Sequence, residues 1–210
     1  DWLPRLDGAR KCPRAELPAG FVTGWRFAAP LVDMTTYLPY LQNRLATAGT
    51  EIETRRVTSF AEVADTASLV INCAGTGARD LVPDPGLTPV RGQLVVVRNP
   101  GLSEFFTEDT GVSPDLLHIY PHGETAVLGG TAEPGRWRRD PDPAIAEAVV
   151  NRCAAVQPRL AGAAVIGTAS VRHHESVREL GAIPVDSRDP DLYRRIAEIA
   201  GKLQGQVVDL

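Results

Sequence analysis

The spacing of apolar residues changes near Asp84, and that change constrains the fold more than any other feature. Before it, helical and strand patterns alternate. Leu38, Leu41, Leu45 and Ala48 recur at helical spacing, and Gly49 stands where a helix C-cap belongs. EIETRRV then alternates Ile52, Thr54 and Arg56 against Glu51, Glu53 and Arg55, which predicts a strand. Ser59 with Glu62 three residues on has the form of a capping box, so SFAEVAD is expected to be a short helix. The run SLVINCAGTGARDL stops at small residues. Its first part, LVINCAG, reads as a buried parallel strand, followed by a glycine turn. Residues 35–80 are therefore expected to be α/β.

After Asp84 strands dominate. GQLVVVRN is a short continuous apolar run, and LLHIYPHG and ETAVLGG read as two strands around the His122–Gly123 turn. Residues 88–135 are expected to form a predominantly antiparallel sheet. Asp142 to Val156 reads as a helix ending before Pro158, and AAVIGTAS as a further strand. Residues 168–210 return to α/β order: helix in HHESVRELGA, strand in IPVD, helix in DPDLYRRIAEIAG, strand in QVVDL. The first thirty or so residues are loop-like, punctuated by Pro4, Pro13, Pro18 and Gly20, with FVTGWRFAAP alternating loosely like a strand. The fold class is α+β with α/β parts.

Composition removes whole classes of function. In 210 residues, 43% hydrophobic and 23% charged content is enough for a real core and excludes a disordered chain. No apolar run nears the roughly 18–20 residues that span a bilayer. The polar N-terminus is expected to carry no signal peptide. A net charge of −4 gives no basic field for a nucleic-acid backbone. Cys12, Cys73 and Cys153 are odd in number and far apart, matching neither a zinc spacing nor a disulfide framework; a reducing cytoplasm is the expectation.

Few residues stand out for chemistry. Gly75 and Gly77 follow a strand, where small residues let a ligand approach the backbone, although the full three-glycine dinucleotide fingerprint is lacking and a plain tight turn remains open. Arg91 precedes a core strand, where it meets either a cofactor phosphate or carboxylate, or only solvent. His118 and His122 are four apart, a metal spacing only on a helix, and Pro121 argues against one. On a strand, His118 and Tyr120 share one face, so one can line a site while the other packs. Cys73 reads as a small core residue, and the adjacent His173 and His174 as a solvated surface. No nucleophile–histidine–acid arrangement can be argued.

Four segments, in order and with short connections, carry a resemblance: GWRFAAPLVDMTTYLPYL, RRVTSFAEVADTASLVINCAGTGARDL, PVRGQLVVV and IYPHGETAVLGGTAEPGRW. Over residues 1–167 the chain resembles the D-amino-acid oxidase family of FAD-dependent enzymes. The resemblance implies part of a Rossmann-like FAD domain, contributed by residues 35–80. It also implies an interleaved antiparallel-sheet substrate domain, contributed by residues 88–135. The implied activity is oxidation of D-amino acids to imino and 2-oxo acids, with oxygen as acceptor and hydrogen peroxide released. FAD is the implied cofactor. A D-amino acid and molecular oxygen are the implied small-molecule partners, with neither nucleic acid nor membrane, and a homodimer is allowed.

Carried over position by position, Arg56 and Val57 match the strand whose backbone contacts FAD. Ala74 matches a position where the family often has threonine beside the cofactor, and Gly75 and Gly77 follow it against FAD. The tyrosine that holds the substrate carboxylate falls on His118, whose imidazole can donate one hydrogen bond there. Two further departures are expected to matter. The glycine-rich strand–turn–helix for the FAD pyrophosphate is not found, and the arginine motif for the substrate carboxylate does not follow VIGTAS. The reading therefore expects this chain by itself to bind FAD weakly or not at all, and not to oxidise D-alanine at rates typical of the family. Residues 168–210 resemble instead the nucleotide-binding domain of quinone reductases and medium-chain dehydrogenases, with Ser170 and Arg172 placed to face an adenosine ribose. The alternatives to an active oxidase are an inactive oxidase fragment or binding remnant, and an NAD(P)-dependent reductase-like fragment.

Overall fold

The computed structural model describes residues 5–108, 117–169, 171, 174–179, 181–186 and 188–202. They divide into two compact units. The first comprises residues 1–33, 93–131 and 140–210, and the second residues 34–92 and 132–139.

The first unit is built on a six-stranded mixed sheet. Its strands are β4 (Val95–Arg98), β5 (Phe106–Thr107), β6 (His118–His122), β7 (Thr125–Gly129), β9 (Val165–Ala169) and β10 (Ile183–Asp186), in the spatial order β10-β9-β4-β7-β6-β5. All neighbours are antiparallel except β9 and β10, which run parallel around helix α4 (His174–Glu179). The expected sheet over 88–135 is present, and so is the α/β order of 165–202. QVVDL lies outside the described residues. A two-strand hairpin, β1 (Arg10–Lys11) with β2 (Trp25–Arg26), is the only regular pairing among the described residues of the first thirty or so.

Alternation explains how this sheet acquires two different faces. Val95, Val97, Ile119, Ala126 and Leu128 point to one side and are buried. They meet Val149, Cys153 and Leu160 from helix α3 (Pro143–Val156) and the turn after it. Burial of each large side chain contributes roughly 1.5–3 kcal/mol, so this layer holds the unit together. Asp142 caps α3, its carboxylate accepting from the N–H groups of Ala144 and Ile145 at 3.0 and 3.4 Å. Buried Gln93 then fastens that cap to the sheet. Its amide donates to the Asp142 carbonyl at 2.7 Å and accepts from the Asp142 N–H at 2.8 Å. On the other side, Ile166 and Val185 pack with Ile196 of helix α5 (Leu192–Lys202), along with Leu192 and Ile199 at helical spacing.

The second unit departs from its sequence reading. Helix α1 (Met34–Thr47) forms as expected and ends in a Schellman motif, with Thr50 N–H donating to the Leu45 carbonyl and Gly49 N–H to Ala46. Pro39 sits inside it, where its missing N–H removes one helical bond. The strand expected over 51–57 is not formed, nor is the one over LVINCAG; both stretches lack regular structure. Leu69 and Ile71 are 73% and 75% exposed, and Cys73, expected in a core, is exposed too. The cause is physical. A strand exists through hydrogen bonds to a neighbour, and a parallel strand also needs cover on both faces. Neither stretch has either among the described residues. Residues 35–80 therefore show helix and turns in place of an α/β unit. The short helix at SFAEVAD is a single 3-10 turn, Phe60–Glu62. Ser59 does cap it, while Glu62 reaches one residue beyond the expected box, taking both the N–H and the hydroxyl of Thr58. Those bonds hold the Glu62 carboxyl below its ordinary range. The unit's one strand pair is β3 (Val90–Arg91) with β8 (Glu133–Pro134). No described helix is long and apolar enough to cross a membrane.

Candidate functional site

The sequence-derived site residues fall into both units, and each group is built by its own unit. In the second, the turn Gly75–Gly77 leads directly into helix α2 (Ala78–Leu81). Asn72 sets the entry, its side-chain oxygen accepting from the Ala74 N–H at 3.1 Å. Gly75 has φ +56, a conformation that disfavours any residue with a Cβ, and the space beside it is open: a Cβ there would meet nothing within 4 Å. A Cβ at Gly77 would touch only that of Ala74, at 3.9 Å. Ala74, Gly75 and Gly77 are all exposed. The result is a stretch of uncovered backbone with no side chain larger than a threonine, which a flat polar group can approach closely. These residues fit one edge of a nucleotide cofactor in size and in uncovered backbone. Arg56 is exposed and Val57 half-buried, in an extended stretch whose backbone has no strand partner.

Arg91 takes neither role weighed from the sequence. Its side chain is largely buried in an ion pair with Glu133 across β3 and β8, and Glu133 also meets Arg136 at 3.5 Å.

In the first unit the side of the sheet opposite α3, at its β6 end, carries the other candidates. His118 and Tyr120 stand together on β6, as alternation requires, with ring centroids 5.0 Å apart. Phe105 follows at 6.0 Å from Tyr120, and Phe27 at 5.7 Å from Phe105, giving an aromatic line along this face. All four side chains are half-buried, so the wall is aromatic with His118 at one end. Behind it, on the core side, the Cys153 thiol lies 3.7 Å from the His118 carbonyl and 3.8 Å from that of Gly129. Burial pushes this thiol up to about 11, and the charge of Arg152 offsets only part of that. It is a protonated packing group at neutral pH. Among the described residues no three metal-ligating side chains converge. Ser170, Arg172 and His173 lie outside the described residues.

The sequence reading missed Phe27, Phe105 and Gly129. The last was within reach. A two-residue loop at Gly123–Glu124 pairs His122 with Thr125, and counting back along both strands sets His118 opposite Gly129.

Comparison with known proteins bears on the family of the chain. A model of the FAD dependent oxidoreductase family matches residues 1–195, which takes in most of the segment expected to resemble reductases. A D-amino-acid oxidase from Rubrobacter xylanophilus is 46% identical over 165 residues, 79% of this chain and 50% of that protein. One from Streptomyces coelicolor is 49% identical over 162 residues, 77% of this chain and 49% of that protein. A human D-aspartate oxidase is 34% identical over 164 residues, 77% of this chain and 47% of its own length. The chain thus spans about half the length of the relatives it matches. With a family match across nearly its whole length, the chain belongs to the FAD dependent oxidoreductase family.

Proposed function

We propose that this chain serves FAD-dependent oxidation of a D-amino acid to its imino acid, which water converts to the 2-oxo acid. The observation that carries the reading is its 46% and 49% identity to two proteins named D-amino-acid oxidase. Bound FAD would supply a hydride acceptor for the substrate α-carbon, with oxygen as the final acceptor of the two electrons and hydrogen peroxide as its product. The work left to the polypeptide is placement. Residues 35–80 would belong to a Rossmann-like cofactor domain, with the open backbone of Ala74, Gly75 and Gly77 against FAD and that of Arg56 and Val57 beside it. Residues 88–135 would belong to the substrate domain. There the His118 imidazole would donate to the substrate carboxylate, while Tyr120 and Phe105 wall off water.

The reductase-like reading of residues 168–210 has less support, because the oxidoreductase family match continues through residue 195. The decisive experiment adds excess FAD and follows peroxide release from D- and L-alanine, with flavin absorbance read in parallel. Bound flavin with D-selective release supports the proposal; release without stereochemical preference, or no flavin bound, sinks it. Gly75→Val should weaken flavin retention. Its Cβ meets no protein atom, so a loss comes from the φ +56 backbone or from the ligand's own space.

A further inference from the structure

On the open face of the β6–β7 hairpin, the His118 imidazole occupies the space that a side chain at Gly129 would take. A Cβ at Gly129 would fall on Cε1 and Nε2 of His118 and lie 2.9 Å from Nδ1. Real Cβ atoms never come that close, so ring and side chain exclude each other. Gly129 is the direct cross-strand partner of His118. Its φ lies outside the left-handed region that favours glycine. The pair is held from behind by Cys153, whose thiol sits against both carbonyls. From beside, Tyr120 keeps its ring 5.0 Å from that of His118.

We propose that Gly129 is a positioning residue: its missing side chain seats the His118 imidazole against β7, in the orientation from which it donates to a substrate carboxylate. The inference rests on the reading of His118 given above. An imidazole turns about two side-chain bonds, whereas β7 is locked between β4 and β6. A methyl group at position 129 therefore moves the ring and leaves the sheet. The Tyr120 ring blocks part of the space into which the imidazole could turn.

The test is a two-by-two set: native protein, Gly129→Ala, His118→Ala and the double variant, each with FAD supplied and oxygen removed. Circular dichroism reports folding, imidazole NMR resonances report ring position, and titration with D-alanine reports carboxylate binding. Gly129→Ala should shift the His118 resonances, because the ring leaves its place beside Tyr120. It should weaken D-alanine by about tenfold or more, the size expected for one hydrogen bond to a charged group. In the His118→Ala background the same change should cost less than about twofold, since there is no ring left to displace.

Unmoved His118 resonances in Gly129→Ala would overturn the seat. Equal losses in both backgrounds, or unfolding in both, would overturn it as well, because Gly129 would then be serving the backbone. If D-alanine leaves the His118 resonances of the native protein unchanged, the carboxylate reading falls. The seat is then judged on the Gly129→Ala spectrum alone.

Discussion

Set beside each other, the two units use the same local devices and reach opposite levels of burial. The first has a capped helix laid on a sheet, with Val97, Ala126, Leu128, Val149, Cys153 and Leu160 at 0% exposure. The second has a well-formed Schellman end, an Asn72 turn and a Ser59 cap, yet Pro89 is its only buried residue. Caps and turns contribute about 1 kcal/mol apiece, whereas a buried layer of large side chains contributes many times that. A helix of about 14 residues is marginal on propensity alone. The apolar stripe of α1, with Leu38 and Leu45 exposed, is sequence-encoded for cover that the unit's own residues do not provide. Local signals and tertiary cover are thus separable, and this molecule separates them.

The contrast can be broken most sharply by matched truncations. Leu128→Ala should destabilise the first unit by about 2–5 kcal/mol in urea unfolding, through lost burial and the cavity left behind. Ile71→Ala, which removes the same number of carbons from a residue 75% exposed, should change stability by no more than about 0.5 kcal/mol. Comparable losses would mean that Ile71 is covered in solution.

A second pair compares polar anchoring. Gln93→Leu leaves both backbone groups of Asp142 without their side-chain partners in a buried setting, and should cost about 1–3 kcal/mol. Asn72→Ala removes one exposed bond and should cost well under that. A urea midpoint for each variant, with unchanged slope, decides the comparison.

The same division governs how far the fold was legible in the sequence. The β6–β7 hairpin was readable because its strands are consecutive and joined by a short turn, so pattern and register agree; β4, which pairs with β7 and β9, was readable only as a continuous apolar run. The helix over 143–156 announced itself by Asp142 and by Pro158 beyond its end. LVINCAG misled for the opposite reason. Its apolar pattern records an environment, and no neighbouring strand among the described residues supplies that environment. At the site, alternation placed His118 with Tyr120 correctly. The role of Gly129 stayed hidden because a missing atom has no periodicity; only the register and the ring coordinates reveal it. Arg91 escaped because its partner, Glu133, is remote in sequence and reachable only once β3 and β8 pair.

A third and smaller contrast lies in the caps. Asp142→Ala should lower stability by about 1 kcal/mol, since the helix it starts carries the core. Ser59→Ala should cost a few tenths of that at most. It caps a single exposed 3-10 turn whose loss uncovers nothing. Thermal midpoints on both variants will show whether a cap's effect follows the helix behind it.

The smallest effect at neutral pH separates the units by their thiols. Cys73 is exposed in the second unit and Cys153 is buried in the first. A thiol reagent at pH 8 should label Cys73 within the mixing time of an ordinary assay and leave Cys153 intact until the sheet opens. Burial raises the Cys153 thiol to about 11, so between its ordinary range and that value the native state keeps a proton that the unfolded chain releases. Stability therefore falls as pH climbs above about 9, and is independent of this group below that. Cys153→Ala should flatten that alkaline decline while opening a small void under the His118 and Gly129 carbonyls. An alkaline slope unchanged by Cys153→Ala would assign the decline to other groups. Rapid native labelling of Cys153 would show that α3 leaves the sheet far more often than its packing allows.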